Sequence, residues 1–156
     1  MPGAPQRRAS QGLGPAADKF KFCYIMRGLP GSGKSTVAEQ LAGTSGVILN
    51  LDTTVNRHSQ MADAGSGETA QEADSFVEIQ EKHYAEFCAE VRKGTQIIVV
   101  DNNNIKESEY LHFIEFAQQE HYIASVVTMP APHDLEVAAQ RSTQEVTATQ
   151  LTQMMN

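Results

Sequence analysis

Gly28-Leu29-Pro30-Gly31-Ser32-Gly33-Lys34-Ser35 decides the fold of this chain. It satisfies G-x-x-x-x-G-K-[ST] at every fixed position, the pattern of a phosphate-binding loop between a strand and a helix. The flanks agree with that placement. Phe20 to Met26 reads as a short strand and Lys34 to Ala42 as a helix. Glycines let backbone N–H groups approach phosphate oxygens without a Cβ in the way, and the following helix turns its positive end toward them. Gly28, Pro30, Gly31, Ser32, Gly33, Lys34, Ser35 and Thr36 are therefore the expected nucleotide-binding residues. Lys34 is expected at the β- and γ-phosphates, Ser35 on Mg²⁺, and Thr36 near the α-phosphate.

Outward from the loop, apolar runs alternate with amphipathic ones, the signature of βα units and a mostly parallel sheet sandwiched by helices. Val47 to Leu51, Gln96 to Val100 and Tyr122 to Met129 read as further strands. Glu68 to Lys93, Lys106 to His121, Asp134 to Arg141 and Ala148 to Met155 read as helices, the first of them stopped by Gly94. The aromatic residues at helical spacing, and the Met154-Met155 end, are expected to be core packing. The fold class is α/β, a P-loop NTPase.

Two strands end in carboxylates. Gln96 to Val100 runs into Asp101, the arrangement that sets an acid beside Mg²⁺ in this fold, although a strand-end Asp before three asparagines also suits a turn. Leu49-Asn50-Leu51-Asp52 ends the second strand in the same way. In open α/β sheets ligands bind beyond the carboxyl ends of the strands, so Gly28, Asp52 and Asp101 should meet at one edge. Asp52 there is either the base that takes a proton from an attacking hydroxyl or a helix cap.

The chain has 156 residues, about the size of one domain, with 40% hydrophobic and 20% charged residues. Residues 1 to 18 are rich in Pro, Gly, Ala and Gln and are expected to be a disordered tail, which leaves residues 19 to 156 as the domain. The formal charge of -7 on the whole chain has the wrong sign for a broad basic face gripping nucleic acid. An anionic ligand must then be held by a compact local site. With no long apolar run and no hydrophobic leader pattern, the expectation is an intracellular protein, cytoplasmic or nuclear, without a membrane partner. Cys23 and Cys88 sit in apolar stretches and read as buried thiols. The five histidines, His58, His83, His112, His121 and His133, lack ligand spacing, which argues against zinc.

These residues resemble the P-loop kinases of the polynucleotide 5'-kinase type, together with the N-terminal domain of the myelin cyclic nucleotide phosphodiesterases. The likeness covers residues 21 to about 155. Arg27 to Thr36 looks like the family's R-G-L-P-G-S-G-K-S-T, Asn50-Leu51-Asp52-Thr53 like its N-R-D-[DT], and Asp101-Asn102-Asn103-Asn104 like its D-N-T-N. The resemblance implies ATP and Mg²⁺ as cofactors, Asp52 as general base, and Asp101 with Ser35 at the metal. It also implies a helical lid whose first arginine falls on Arg141, there to neutralise the transferred phosphoryl. A surface arginine near a helix's negative end is the alternative. Arg141 is the one Lys or Arg after Lys106.

Three positions depart from the family pattern: Leu51 for the arginine of N-R-D, Asn103 for the threonine of D-N-T-N, and Gln144-Glu145 at the later lid position. Arg57 and His58 are then the remaining candidates for a substrate phosphate. The expected function is transfer of a phosphoryl group from ATP to a hydroxyl, of a nucleotide or of a nucleic acid 5' end. A nucleotide-binding interaction module with decayed catalysis and a small-metabolite kinase are the alternatives. Oligomeric state is open, and the end at Met155-Asn156 inside a helix suggests a domain cut short.

Overall fold

The computed structural model describes residues 20–56, 72–142 and 146–155, with side chains from Phe76 onward in the second stretch. The tail at 1–18, Arg57, His58, Gln144 and Glu145 lie outside the described residues.

Four strands, β1 (Phe22–Arg27), β2 (Val47–Leu49), β3 (Ile97–Val100) and β4 (Ile123–Thr128), form one sheet in the order β2-β3-β1-β4. Every described pairing is parallel. Helices α1 (Lys34–Ala42), α2 (Glu72–Lys93) and α3 (Leu111–Gln119) lie in the connections, and α4 (Leu135–Arg141) and α5 (Ala148–Met155) follow the last strand. This is the α/β sandwich of a P-loop NTPase. Parallel neighbours require crossovers, and alternating strands and helices supply them.

The register sets the strand ends at one edge. Leu49 and Ile25 both pair with Val100, so β2 and β3 stop together, β1 runs two residues further to Arg27, and all three release their loops on the same side of the sheet. Buried Cys23, Ile25, Ile98 and Val100 pack on one face of the sheet against Phe87, Cys88 and Val91 of α2 and Phe113 and Ala117 of α3. The opposite face meets α1, where Met26 and Val99 contact Ala38 and Ala42. Two alanines on that helix permit close approach to the sheet. A third cluster of Leu29, Ala138 and Leu151 fastens α4 and α5 to the phosphate loop itself. No described helix is long and apolar enough to cross a membrane.

The structure corrects several sequence expectations, in element boundaries and in burial. β1 starts at Phe22, not Phe20, and reaches Arg27, because its pairing with β4 runs through Arg27 and Thr128. β2 ends at Leu49 and residues 51–56 are helical, because the Asn50 side chain accepts from Asp52 N at 2.8 Å and starts the turn. The segment from Lys106 is not one helix. Glu109 reaches back to Lys106 N at 2.7 Å, which closes a 3₁₀ turn at Glu107–Glu109 before α3 begins. Phe76 is half exposed and leaves the core, whereas Phe87 on the same helix is fully buried. Met155 is likewise exposed while Met154 packs on the third cluster.

The glycine stop of α2 is as expected, with Gly94 at φ 81°. Gly94 N donates to Val91 O and Thr95 N to Glu90 O, the paired bonds of a Schellman cap. Cys23 and Cys88 are both buried thiols, and burial pushes the Cys23 thiol up to about 12.

Candidate active site

At the carboxyl edge of the sheet lies a cavity of about 850 Å³, within the range of small-molecule sites. Its lining includes the loop from Pro30 to Thr36 together with Asp52, Asp101 and Arg141. The positions singled out from the sequence thus converge, with one exception. Gly28 is buried beneath the loop instead of lining the cavity. A Cβ there would stand 2.9 Å from both Ser32 Oγ and Met129 Cβ, so this glycine serves close packing. Gly31 and Gly33 carry the backbone freedom, at φ 77° and 90°.

Lys34 is 9% exposed and folds its ammonium back onto Leu29 O at 2.8 Å. Burial draws its pKa down from the ordinary lysine range, and the carboxylates of Asp101 and Asp52 oppose that shift. Both acids are therefore electrostatic neighbours of the loop lysine. Ser35 Oγ donates to Asp101 Oδ2 at 2.8 Å, joining the first residues of α1 to the end of β3. Asp101 is 5% exposed and its N–H donates to Leu49 O at 2.8 Å.

The asparagines after Asp101 splice neighbouring loops. Asn102 Oδ1 accepts from Leu51 N at 2.9 Å, Asn103 O accepts from Gly28 N at 2.9 Å, and Asn104 Nδ2 donates to Met26 O at 2.8 Å. Asn104 has φ 50°, a left-handed conformation that asparagine tolerates. Asn50 Nδ2 meanwhile donates to Asp101 O at 2.9 Å, while Asn50 Oδ1 caps the helical residues 51–56. The cap is Asn50, so Asp52 is not the residue that starts this helix.

Sequence reasoning missed the far wall. Phe76, Gln80 and His83 of α2 and His112 of α3 line the same cavity, and nothing in their local pattern separates them from an ordinary amphipathic face. His83 is 3% exposed, with its Nε2 3.0 Å from Asn102 Nδ2. Burial, and secondly the proximity of His112, lower its pKa to about 4.

The donor set suits a magnesium nucleotide. Ser35 and Asp101 offer hard oxygen atoms side by side, and Mg²⁺ takes one or two such protein ligands with phosphate and water completing its shell. Buried Ser32 Oγ has no hydrogen-bond partner, leaving a hydroxyl for a phosphate oxygen. Among the described residues no group of three or more His, Cys, Asp or Glu gathers for a metal.

A family model described as an AAA domain matches residues 24–156. Among solved structures, the chain is similar to one in the structure of a Pnkp1/Rnl/Hen1 complex, with 23% identity and a TM-score of 0.57 over 80% of this chain and 40% of that one. It is also similar to a gluconokinase from Sinorhizobium meliloti 1021, with 17% identity and a TM-score of 0.53 over 87% of this chain and 74% of that one. The chain thus spans well under half the length of the first. No curated protein matches it by sequence. At these identities the likeness concerns the fold alone, an α/β domain with a phosphate-binding loop.

Proposed function

The chain belongs to this AAA-domain family, and from that premise we propose that it moves the γ-phosphoryl of ATP to a hydroxyl, with the 5'-hydroxyl of a nucleotide or polynucleotide as acceptor. The observation that carries the reading is the 2.8 Å contact of Ser35 with Asp101 in a cavity that Lys34 and Asp52 also line. Phosphoryl transfer demands positioning and charge neutralisation more than covalent chemistry, and these residues provide both.

In this reading the loop amides and Lys34 bind the β- and γ-phosphates. Lys34 exchanges its bond to Leu29 O for phosphate oxygens, a charge-assisted bond in place of a neutral one. Ser35 and Asp101 would hold Mg²⁺, which would supply neutralisation of phosphate charge. Asp52 accepts the acceptor hydroxyl's proton. Arg141, from the last turn of α4, offers its guanidinium to the equatorial oxygens of the group in flight.

Among the described residues lining the cavity, Lys34 and Arg141 are the Lys and Arg side chains. Two cations suffice for a triphosphate and leave little to follow a long strand, which favours a terminus or a single nucleotide over extended duplex. The test is labelled ATP offered with an oligonucleotide 5'-hydroxyl, a nucleoside and a sugar. Transfer to the first two supports the proposal. Transfer to the sugar alone makes the enzyme a metabolite kinase, and ATP binding without transfer to any acceptor makes it an interaction module.

A further inference from the structure

One buried side chain at the cavity is not used by the chemistry above. His83 lies on α2, 19 residues away in sequence from its partner Asn102, and its ring packs edge-on to Phe113 with centroids 5.7 Å apart. Its hydrogen bond is more informative than its burial. An amide has one accepting oxygen and one donating nitrogen, and Asn102 Oδ1 is committed to Leu51 N at 2.9 Å. Asn102 therefore presents Nδ2, which can only donate, to His83 Nε2 at 3.0 Å. Nε2 must then hold a lone pair, and the proton of the neutral ring sits on Nδ1. Nδ1 is buried without a partner of its own, so no competing bond on that side selects the opposite tautomer.

Following the bonds outward, His83 fixes which way the Asn102 amide faces, and Asn102 fixes the amide of Leu51. Leu51 directly precedes Asp52. On the opposite side Asn50 is tied to Asp101 O at 2.9 Å, so the turn carrying Asp52 is braced from both β3 and, through Asn102, α2. We infer that His83 is a positioning residue for Asp52, acting as a neutral hydrogen-bond acceptor that sets the Asn102 amide and with it the turn at Leu51. Phosphoryl transfer is sensitive to small displacements of a base, and an ångström of misplacement costs on the order of 100-fold in rate. An aliphatic residue at 83 would leave Asn102 Nδ2 without its acceptor and free to turn.

The inference rests on the kinase reading only for its kinetic arm. In the full chain, ¹⁵N spectra of the histidine rings should show His83 neutral, protonated on Nδ1 and bare on Nε2, from pH 5 to 8. A ring protonated on Nε2, or a midpoint near the ordinary histidine value, overturns the assignment whether or not the protein is a kinase. In the second arm, His83→Leu should shift the Leu51 and Asp52 amide resonances and lower kcat on the order of tenfold, with ATP affinity and acceptor KM changed less than about twofold. His83→Gln, whose carbonyl can accept from Asn102, should restore most of both. Unmoved Leu51 and Asp52 resonances in a folded His83→Leu variant overturn the proposal, as does failure of His83→Gln to rescue where the leucine variant is impaired. If His83→Leu does not fold, Asn102→Asp keeps the shape and exchanges the donor for an acceptor. His83 should then take up a proton on Nε2 and titrate well above its wild-type value, and an unchanged titration overturns the link. Absence of transfer by the wild type against all acceptors removes the function proposed above and leaves the two spectroscopic arms to decide this one.

Discussion

Ser35 Oγ and Asp101 Oδ2 stand 2.8 Å apart, one at the start of the helix behind the phosphate loop and the other at the end of a different strand. Their contact exists because β3 lies beside β1 in the sheet, and in the proposed function it is where Mg²⁺ would be held. Ser35→Ala and Asp101→Asn should each lower Mg²⁺-dependent transfer on the order of 100-fold or more. Lys34→Ala should in addition abolish tight ATP binding. Nucleotide titrations with and without Mg²⁺ measure the difference, and equal losses of magnesium-free binding in all three variants would contradict the division of roles.

Asp52→Asn keeps the size of the side chain and removes its basicity. Transfer should fall by roughly 10²- to 10⁴-fold, the range that a positioned base contributes, with ATP affinity nearly unchanged. Single-turnover rates across pH check this. Retained transfer in the variant would take the base role away from Asp52.

Gly31→Ala should disable the loop without touching a charged group. The site has φ 77°, and an added Cβ would meet Ala138 O at 2.0 Å, a backbone atom of α4 that cannot simply swing aside. Helix α4 must shift or the loop must deform, so ATP affinity and Tm should fall together. Gly43→Ala is the contrast, because a Cβ there meets nothing within 4 Å and its strain is confined to φ 58°. Nucleotide binding by that variant should match the wild type.

Stability should rise with pH between about 4 and 6.5. The folded-state pKa of His83 is lowered to about 4 from 6.5, with burial as the main cause, so in that window the unfolded chain binds the proton and the folded protein does not. His112 is shifted in the same direction by burial, against the pull of Glu115. The stabilisation is complete above the ordinary histidine value and is lost as pH falls toward 4. Urea midpoints measured across this range should climb in the wild type and flatten in His83→Gln.

Phe87→Ala should cost about 3–5 kcal/mol, as truncation of a fully buried aromatic does. Phe87 touches the rings of Phe113 and Phe116 and joins both helices on that face of the sheet. Phe76→Ala, on the same helix but half exposed at the cavity, should change stability far less. Thermal unfolding of the two variants separates core from cavity wall on one helix.

The eight residues from Gly28 to Ser35 determined the fold class by themselves, because their spacing demands a strand before and a helix after, and the rest of the chain alternates to match. The carboxylates at the strand ends were legible for the same reason: chain direction in a parallel sheet sends every strand terminus to one edge. What the linear order could not contain was which strands become neighbours. The sheet order β2-β3-β1-β4 sets Asp101 beside Ser35, 66 residues away in sequence, and Asn102 between Leu51 and His83. Helix periodicity marked α2 as amphipathic but could not say that its Phe76, Gln80 and His83 look into the cavity while Phe87 looks into the core. All four fall on one stripe of the helix, at spacings of four, three and four, so the choice depends on which turns dock over the sheet and which run past its edge, a property of packing between distant segments and not of spacing within one.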